Sequence, residues 1–289
     1  MNARIKQILF YCFGVVGILQ GSTLADEPLA IHIASFNIHY IVPNSPKENW
    51  DDRKYAVRGV IQEMRADIIA FQEMETFTGG HYSGKNLQLD WVLENFPHYQ
   101  AGAFGDPSNF PITQPILYDQ RKFELIDQGF LFFSPTPHVI YSRQWDGRYP
   151  YYATWVELRQ RLTGLRFVVV NLHNDYKSRS NRLASSQVVI EHLGNRLKAM
   201  PSVVVGDFNA PKSFKEVTLF AELGLDPLKP DGSTNRILGL RLLPAIDHIL
   251  ISDGWESSTQ IRRWTQKYDG HYPSDHFPIS AEIRWRSQL

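Results

Sequence analysis

The chain has 289 residues, of which 43% are hydrophobic, 13% aromatic and 21% charged, with 30 basic side chains against 30 acidic. Intrinsic disorder and fibrous repeats are excluded by this composition, and the charge balance removes the case for holding nucleic acid or anionic membrane by bulk charge, leaving only a local cationic groove. The single cysteine, Cys12, excludes a disulfide framework, a cysteine-based zinc site and a redox pair.

Residues 1–25 read as a secretory signal peptide. Arg4 and Lys6 precede an apolar run from Ile8 to Leu19, and Thr23-Leu24-Ala25 supplies small side chains at a cleavage point. The run is shorter than the roughly 20 residues of a membrane-spanning helix, so an uncleaved anchor is the lesser alternative. Cleavage leaves a chain of 28 basic against 30 acidic residues without cysteine, exported to the periplasm or outside the cell and expected to act as a monomer.

Residues 26–289 show no linker, repeat or low-complexity tract and are expected to form a single large domain. Strands are predicted at Ala30 to Phe36, Asp67 to Phe71, Gln114 to Tyr118, Arg166 to Asn171, Ser202 to Val205, Ala245 to Ile251 and Ile279 to Trp285. Several are continuously apolar, as in strands covered on both faces. Helical patterns lie between them at Arg53 to Glu63, Leu87 to Asn95 and Ser180 to Lys198, which argues for a layered α/β fold. The strand, helix, strand order from Arg166 to Val205 predicts two parallel strands with aligned C-terminal ends.

Polar residues collect where those strands stop. Val203-Val204-Val205 runs into Gly206-Asp207-Phe208-Asn209, and Phe167 to Val170 into Asn171-Leu172-His173-Asn174-Asp175. Alternate residues of an extended chain share a side, so Asp207 and Asn209 can face one point. Either segment alone is equally a turn with local Asp and Asn bonds. The pattern recurs, however, at Ser35-Phe36-Asn37, Ala70-Phe71-Gln72-Glu73, Ala245-Ile246-Asp247-His248 and Ser274-Asp275-His276-Phe277. Glu73, Asp207, Asp247 and Asp275 brought to one sheet edge would repel one another unless a cation sat among them, and oxygen ligands without thiolate suit Mg²⁺, Mn²⁺ or Ca²⁺.

These six motifs, in this order from Ile33 to Ile283, resemble the endonuclease/exonuclease/phosphatase superfamily of metal-dependent phosphoesterases. The resemblance implies a four-layer sandwich, two mixed β-sheets packed face to face with helices on the outside, and a site at one end. It implies Mg²⁺ or Mn²⁺, as one or two ions, with Glu73 as principal ligand, Asn37 as the amide that helps hold the metal and its waters, and Asp275 as a further carboxylate. By the same resemblance His276 contacts the scissile phosphate and Asp247 orients it. Asp207, with Asn209 beside it, aligns or deprotonates the attacking water, and His173 stands on the phosphate or leaving-group side. The substrate is then a phosphate ester, whether nucleic acid, phosphomonoester, or lipid or sugar head group; charge does not favour nucleic acid.

The chain departs from similar hydrolases where Pro150 is followed by Tyr151 instead of arginine, with Arg148 the candidate replacement, and where His173 is followed by Asn174-Asp175-Tyr176. The segment Trp145, Tyr149, Tyr151, Tyr152, Trp155 is expected chiefly to pack core and loop, with stacking of a base or sugar as the alternative. Gly79 to Lys85 approaches a phosphate-binding loop but has Asn86 in place of Ser or Thr, and reads as a loop flanking the site. His39 and His81 are the remaining histidines close to site motifs. A catalytically silent secreted binding module is the rival reading, and retention of all eight polar residues argues against it.

Overall fold

The computed structural model describes residues 29–41, 49–74, 85–143, 149–230, 232–236, 243–257 and 259–286. The leader at 1–25, residues 79–84 of the glycine-rich segment, His81, Trp145 and Arg148 lie outside the described residues. Among the described residues there are thirteen strands: β1 Ala30–Asn37, β2 Ile68–Gln72, β3 Tyr99–Gly102, β4 Ile116–Asp119, β5 Phe123–Phe132, β6 Tyr152–Gln160, β7 Arg166–His173, β8 Ser202–Asp207, β9 Leu225–Pro227, β10 Asp247–Ser252, β11 Trp255–Ser257, β12 Arg262–Arg263 and β13 Ile279–Trp285. The helices are α1 Trp50–Met64, α2 Leu87–Asn95, α3 Arg179–Ala199 and the short α4 Lys215–Thr218. Among the described residues no helix is long and apolar enough to cross a membrane.

One sheet runs β11-β13-β1-β2-β4-β3 with β12 on β13, and the other β5-β6-β7-β8-β10-β9. Both are mixed: β1 and β2 are parallel, as are β7 and β8, while their other neighbours are antiparallel. The continuous apolar runs are explained by the period-2 alternation of side chains between two covered faces. Ile31, Ile33, Ile68, Val169, Val203, Val205 and Ile249 belong to the core between the sheets. Their neighbours Val168, Val170 and Val204 pack outward with Val189, Leu193 and Leu197 of α3. Ala34, Phe36 and Ile69 pack outward on the other side with Val57, Val60 and Ile61 of α1. Helix, sheet, sheet, helix is the expected four-layer α/β sandwich.

The helices start where short polar side chains satisfy free backbone donors. Asn49 accepts from Asp51 N at the start of α1, Asn86 from Leu89 N at α2, and Ser178 from Asn181 N at α3. Sequence patterning missed the start of α1 by three residues because Trp50, buried, is followed by Asp51 and Asp52 and does not read as part of an amphipathic repeat. It also missed β3, β5, β6, β9, β11 and β12, edge or aromatic-rich strands without a long apolar run. Trp155, read as core or loop packing, lies in β6 with the Arg196 guanidinium 4.2 Å above its ring.

Candidate active site

Sheet register builds the site. Asn37 pairs with Gln72 across β1 and β2, one residue before Glu73; His173 pairs with Asp207 across β7 and β8; Asp207 pairs with Asp247 across β8 and β10. Both parallel pairs end, and β10 begins, at the same end of the sandwich. The two sheets are tied there by buried amides. Gln72 Nε2 donates to Asn171 Oδ1 at 2.7 Å, Asn171 Nδ2 to Phe71 O at 2.7 Å, and Gln114 Nε2 to Asn171 O at 2.9 Å. Satisfied buried networks of this kind fix one relative placement of the elements that carry them.

The backbone turns sharply at this end. His39, Glu73 and Asn209 have φ of 61°, 57° and 49°, a left-handed conformation uncommon for residues with a side chain and concentrated at functional sites. Gly206, with φ of 142°, precedes Asp207 where a Cβ would lie 1.9 Å from Leu172 O. Only glycine lets β8 approach β7 this closely.

All eight anticipated residues come together. Asn37 Nδ2 donates to Glu73 Oε1 at 3.1 Å and to Asp207 Oδ2 at 3.2 Å, while its Oδ1 accepts from His39 N at 3.1 Å. Asn37 thus bridges the two carboxylates, beside the position where it is expected to help hold a metal and its waters. Asn209 N donates to Asp207 Oδ1 at 2.8 Å, and Asn209 Nδ2 ties the turn to Asn174 O at 2.8 Å. His173 Nε2 lies 3.6 Å from Glu73 Oε1 and 3.8 Å from Asp207 Oδ2. His276 Nδ1 is 2.9 Å from Asp247 Oδ2 and donates to it, while Nε2 faces Asp207 Oδ2 at 3.8 Å.

Asp207, Asp247 and His276 are buried, and their ligand atoms converge within 4.8 Å. In this set the imidazole nitrogen and the Asp247 carboxylate already satisfy each other. Glu73 and Asp275 differ. His39 Nδ1 stands 3.4 Å from Glu73 Oε2 and 3.5 Å from Asp275 Oδ1, so the two carboxylates aim at one donor position. Glu73 also borders a cavity of about 230 Å³ lined by Tyr40, Tyr151 and His173 among others. An oxygen-only pair beside open space suits a hard cation that keeps part of its water shell, and the residues present fit a hard divalent cation at Glu73 and Asp275.

Charge is distributed unevenly. Burial works to raise Glu73, but the hydrogen bond from His39 and the charges of His173, His39 and His276 outweigh it and hold the carboxyl down to about 2. Burial, and then the Asp247 charge, push Asp207 up to about 8 against the opposing pull of His276 and Asn209 N–H. Burial lowers His173. It also works to lower His276, yet the charges of Asp247 and Asp207 carry that imidazole well above its ordinary value. One carboxylate that stays ionised, one poised to take a proton, and one charged imidazole is a division of labour suited to acid–base chemistry on an anion.

Positioning residues escaped the sequence reading. Arg53 is buried and gives Nη1 to Ile38 O at 2.6 Å and Pro273 O at 3.0 Å, and Nη2 to His39 O and to Tyr40 O at 3.2 Å. It clasps the Asn37 turn to the loop carrying Asp275. An arginine in the first turn of a helix opposes the helix dipole, and that mismatch was the available signal. Ser274 Oγ donates to Asn37 O at 2.7 Å and accepts from His276 N at 3.0 Å. Thr234 Oγ1 accepts from Asp247 N at 3.1 Å.

A family model described as the Endonuclease/Exonuclease/phosphatase family matches residues 34–276. Among solved structures, the chain is 25% identical to a functionally unknown conserved protein from Enterococcus faecalis V583, with TM-score 0.74, covering 89% of this chain and 100% of that one. It is 24% identical to an endonuclease/exonuclease/phosphatase family protein from Bacteroides thetaiotaomicron, with TM-score 0.74, covering 91% of this chain and 100% of that one. A mannosyl-6-phosphatase from Bacteroides thetaiotaomicron is 24% identical, with TM-score 0.69, covering 88% of this chain and 99% of that one. No curated protein matches the chain significantly.

Proposed function

Because the chain belongs to the endonuclease/exonuclease/phosphatase family of phosphoester hydrolases, we propose that it is an exported Mg²⁺- or Mn²⁺-dependent phosphoesterase that hydrolyses its ester by in-line attack of water. The observation that carries the reading is the approach of Asp207 Oδ2 to both His173 Nε2 and His276 Nε2, each at 3.8 Å, with Glu73 beside them. Asp207 accepts the proton of the attacking water. A P–O bond forms to that oxygen, the P–O bond to the leaving group breaks, and the leaving oxygen takes up a proton. His276, held by Asp247, offsets charge growing on the phosphoryl oxygens, and His173 stands on the leaving-group side. Glu73 and Asp275 would hold the divalent cation, which when bound neutralises phosphoryl charge.

The signal-like segment 1–25 supports export, and the mature unit is residues 26–289. A phosphomonoester is favoured over nucleic acid by the absence of a long basic stripe in the sequence, and the mannosyl-6-phosphatase neighbour is consistent with it. The test is phosphate or product release by residues 26–289 from nucleic acid, phosphomonoester and phospholipid substrates, with Mg²⁺ and with EDTA. Metal-dependent release from one class supports the reading. No release from any class by folded protein that binds Mg²⁺ overturns it in favour of a silent binding module.

A further inference from the structure

The cavity next to Glu73 and His173 has a lining that the reaction itself does not require. Tyr40, Tyr149, Tyr151, Tyr152 and Tyr176 form much of its wall, with Thr113, Gln114 and Pro150. The Tyr151 ring meets the His173 ring edge to face, centroids 5.0 Å apart at 80°, so the aromatic wall begins where the leaving-group side of the reaction centre ends. About 230 Å³ accommodates one ring system.

Its polar atoms are fixed by the fold. Gln114, buried, spends its amide hydrogens on Tyr152 O at 3.0 Å and Asn171 O at 2.9 Å, which leaves its Oε1 as an acceptor beside the cavity. Thr113 N donates to the Tyr152 hydroxyl at 3.2 Å and locks that ring. Among the described residues no lysine or arginine lines the cavity; Lys177 lies outside the lining, its Nζ 5.4 Å from the Tyr176 ring centroid. Burial and then the charges of Asp175, Glu73 and Asp207 raise the Tyr151 phenol, so carboxylates and not cations surround this wall.

We propose that this cavity receives the leaving group of the ester, and that the leaving group is an uncharged, hydroxyl-bearing ring: the alcohol of a sugar phosphate or of a nucleoside monophosphate. Aromatic faces cover the ring, and Gln114 Oε1 accepts from its hydroxyl or amino groups. The assignment rests on the phosphoesterase reading for the identity of the ligand, and on the cavity alone for its shape and charge.

With the Mg²⁺-loaded chain, kcat/KM is compared for a hexose 6-phosphate and a nucleoside 5′-monophosphate, for glycerol 3-phosphate as the ringless ester, and for a hexose 1,6-bisphosphate and a nucleoside 3′,5′-bisphosphate as anionic counterparts. At least one neutral ring ester should exceed the ringless and anionic esters by about tenfold or more, and whichever of the two is faster names the ring. Tyr151→Ala, and separately the half-exposed Tyr149→Ala, should each reduce that preference about tenfold through KM, with Tyr151→Phe retaining most of it. Saturation-transfer NMR of the free alcohols, which needs no hydrolysis, should show the ring binding and Tyr151→Ala weakening it. Phosphate release without preference for ring esters, or a preference untouched by both tyrosine variants, overturns the inference and leaves the phosphoesterase reading standing. Alcohol binding lost in Tyr151→Ala, with no phosphate released from any ester, sustains the cavity assignment and removes the phosphoesterase reading.

Discussion

Asp207 and Asp247 stand directly opposite each other in the antiparallel pair of β8 and β10, two buried carboxylates placed in register by the sheet itself. His276 reaches both, at 3.8 Å from Asp207 and 2.9 Å from Asp247, and offsets part of their repulsion, the rest of which raises Asp207. Asp247→Asn removes the charge that orients and sustains the imidazolium. Activity at neutral pH should fall by about 10²-fold in a folded protein. Because Asp247 raises both Asp207 and His276, both limbs of the pH profile of kcat/KM should move to lower pH. Steady-state kinetics from pH 5 to 10 checks this, and unmoved limbs would separate Asp247 from the chemistry.

Arg53 should prove as important to the site as residues that carry the chemistry. Replacing it with methionine removes charge-assisted bonds to carbonyls on both sides of the cleft. A loss of about 3 kcal/mol is expected in urea unfolding, together with reduced activity. A cost below about 1 kcal/mol would show that the clasp is dispensable.

Gly206→Ala tests the close approach of β7 and β8. With φ of 142° and a Cβ 1.9 Å from Leu172 O, the substitution can be accommodated only by moving Asp207. Stability should fall by about 3 kcal/mol or more. Catalysis should fall with it, since Asp207 is the next residue. Unfolding curves matching wild type would contradict the geometry.

His248 sets a pH dependence of stability. Its Nε2 lies 2.8 Å from Ala210 O, and burial lowers its pKa from the ordinary 6.5. The folded state therefore binds this proton less readily than the unfolded state. The contribution is full above about pH 6.5 and is lost as pH falls below it, with a slope approaching about 1.4 kcal/mol per pH unit for one proton. His248→Gln keeps a donor for Ala210 O but cannot titrate, so between pH 7 and 5 its unfolding free energy should fall less steeply than that of wild type. Equal slopes in urea titrations would assign the acid sensitivity elsewhere.

Much of the fold and site was legible because strands buried on both faces write themselves as uninterrupted apolar runs, and the chemistry sits where those runs stop. Val203 to Asp207 shows this most clearly, with strand, close-approach glycine and carboxylate in consecutive positions. The sequence did not reveal what depends on distant contacts. The bridge that Asn37 Nδ2 makes between Glu73 and Asp207, 36 and 170 residues away, has no signature in the local sequence. His39 stood out only by nearness to a motif, yet it lies between Glu73 and Asp275. Tyr149 and Tyr151 gave no periodic signal at all, because a cavity wall follows from the meeting of loops and has no repeat of its own.

The division of labour between Glu73 and Asp207 is the central claim, and a Mg²⁺ titration of phosphate release by wild type, Glu73→Gln and Asp207→Asn tests it most directly. Glu73→Gln should need at least about tenfold more Mg²⁺ for half-maximal activity. Asp207→Asn should bind Mg²⁺ with near wild-type affinity, measured by calorimetry, and turn over at least about 10²-fold more slowly at every Mg²⁺ concentration. Normal turnover in Asp207→Asn, or a metal requirement unchanged in Glu73→Gln, would contradict the account.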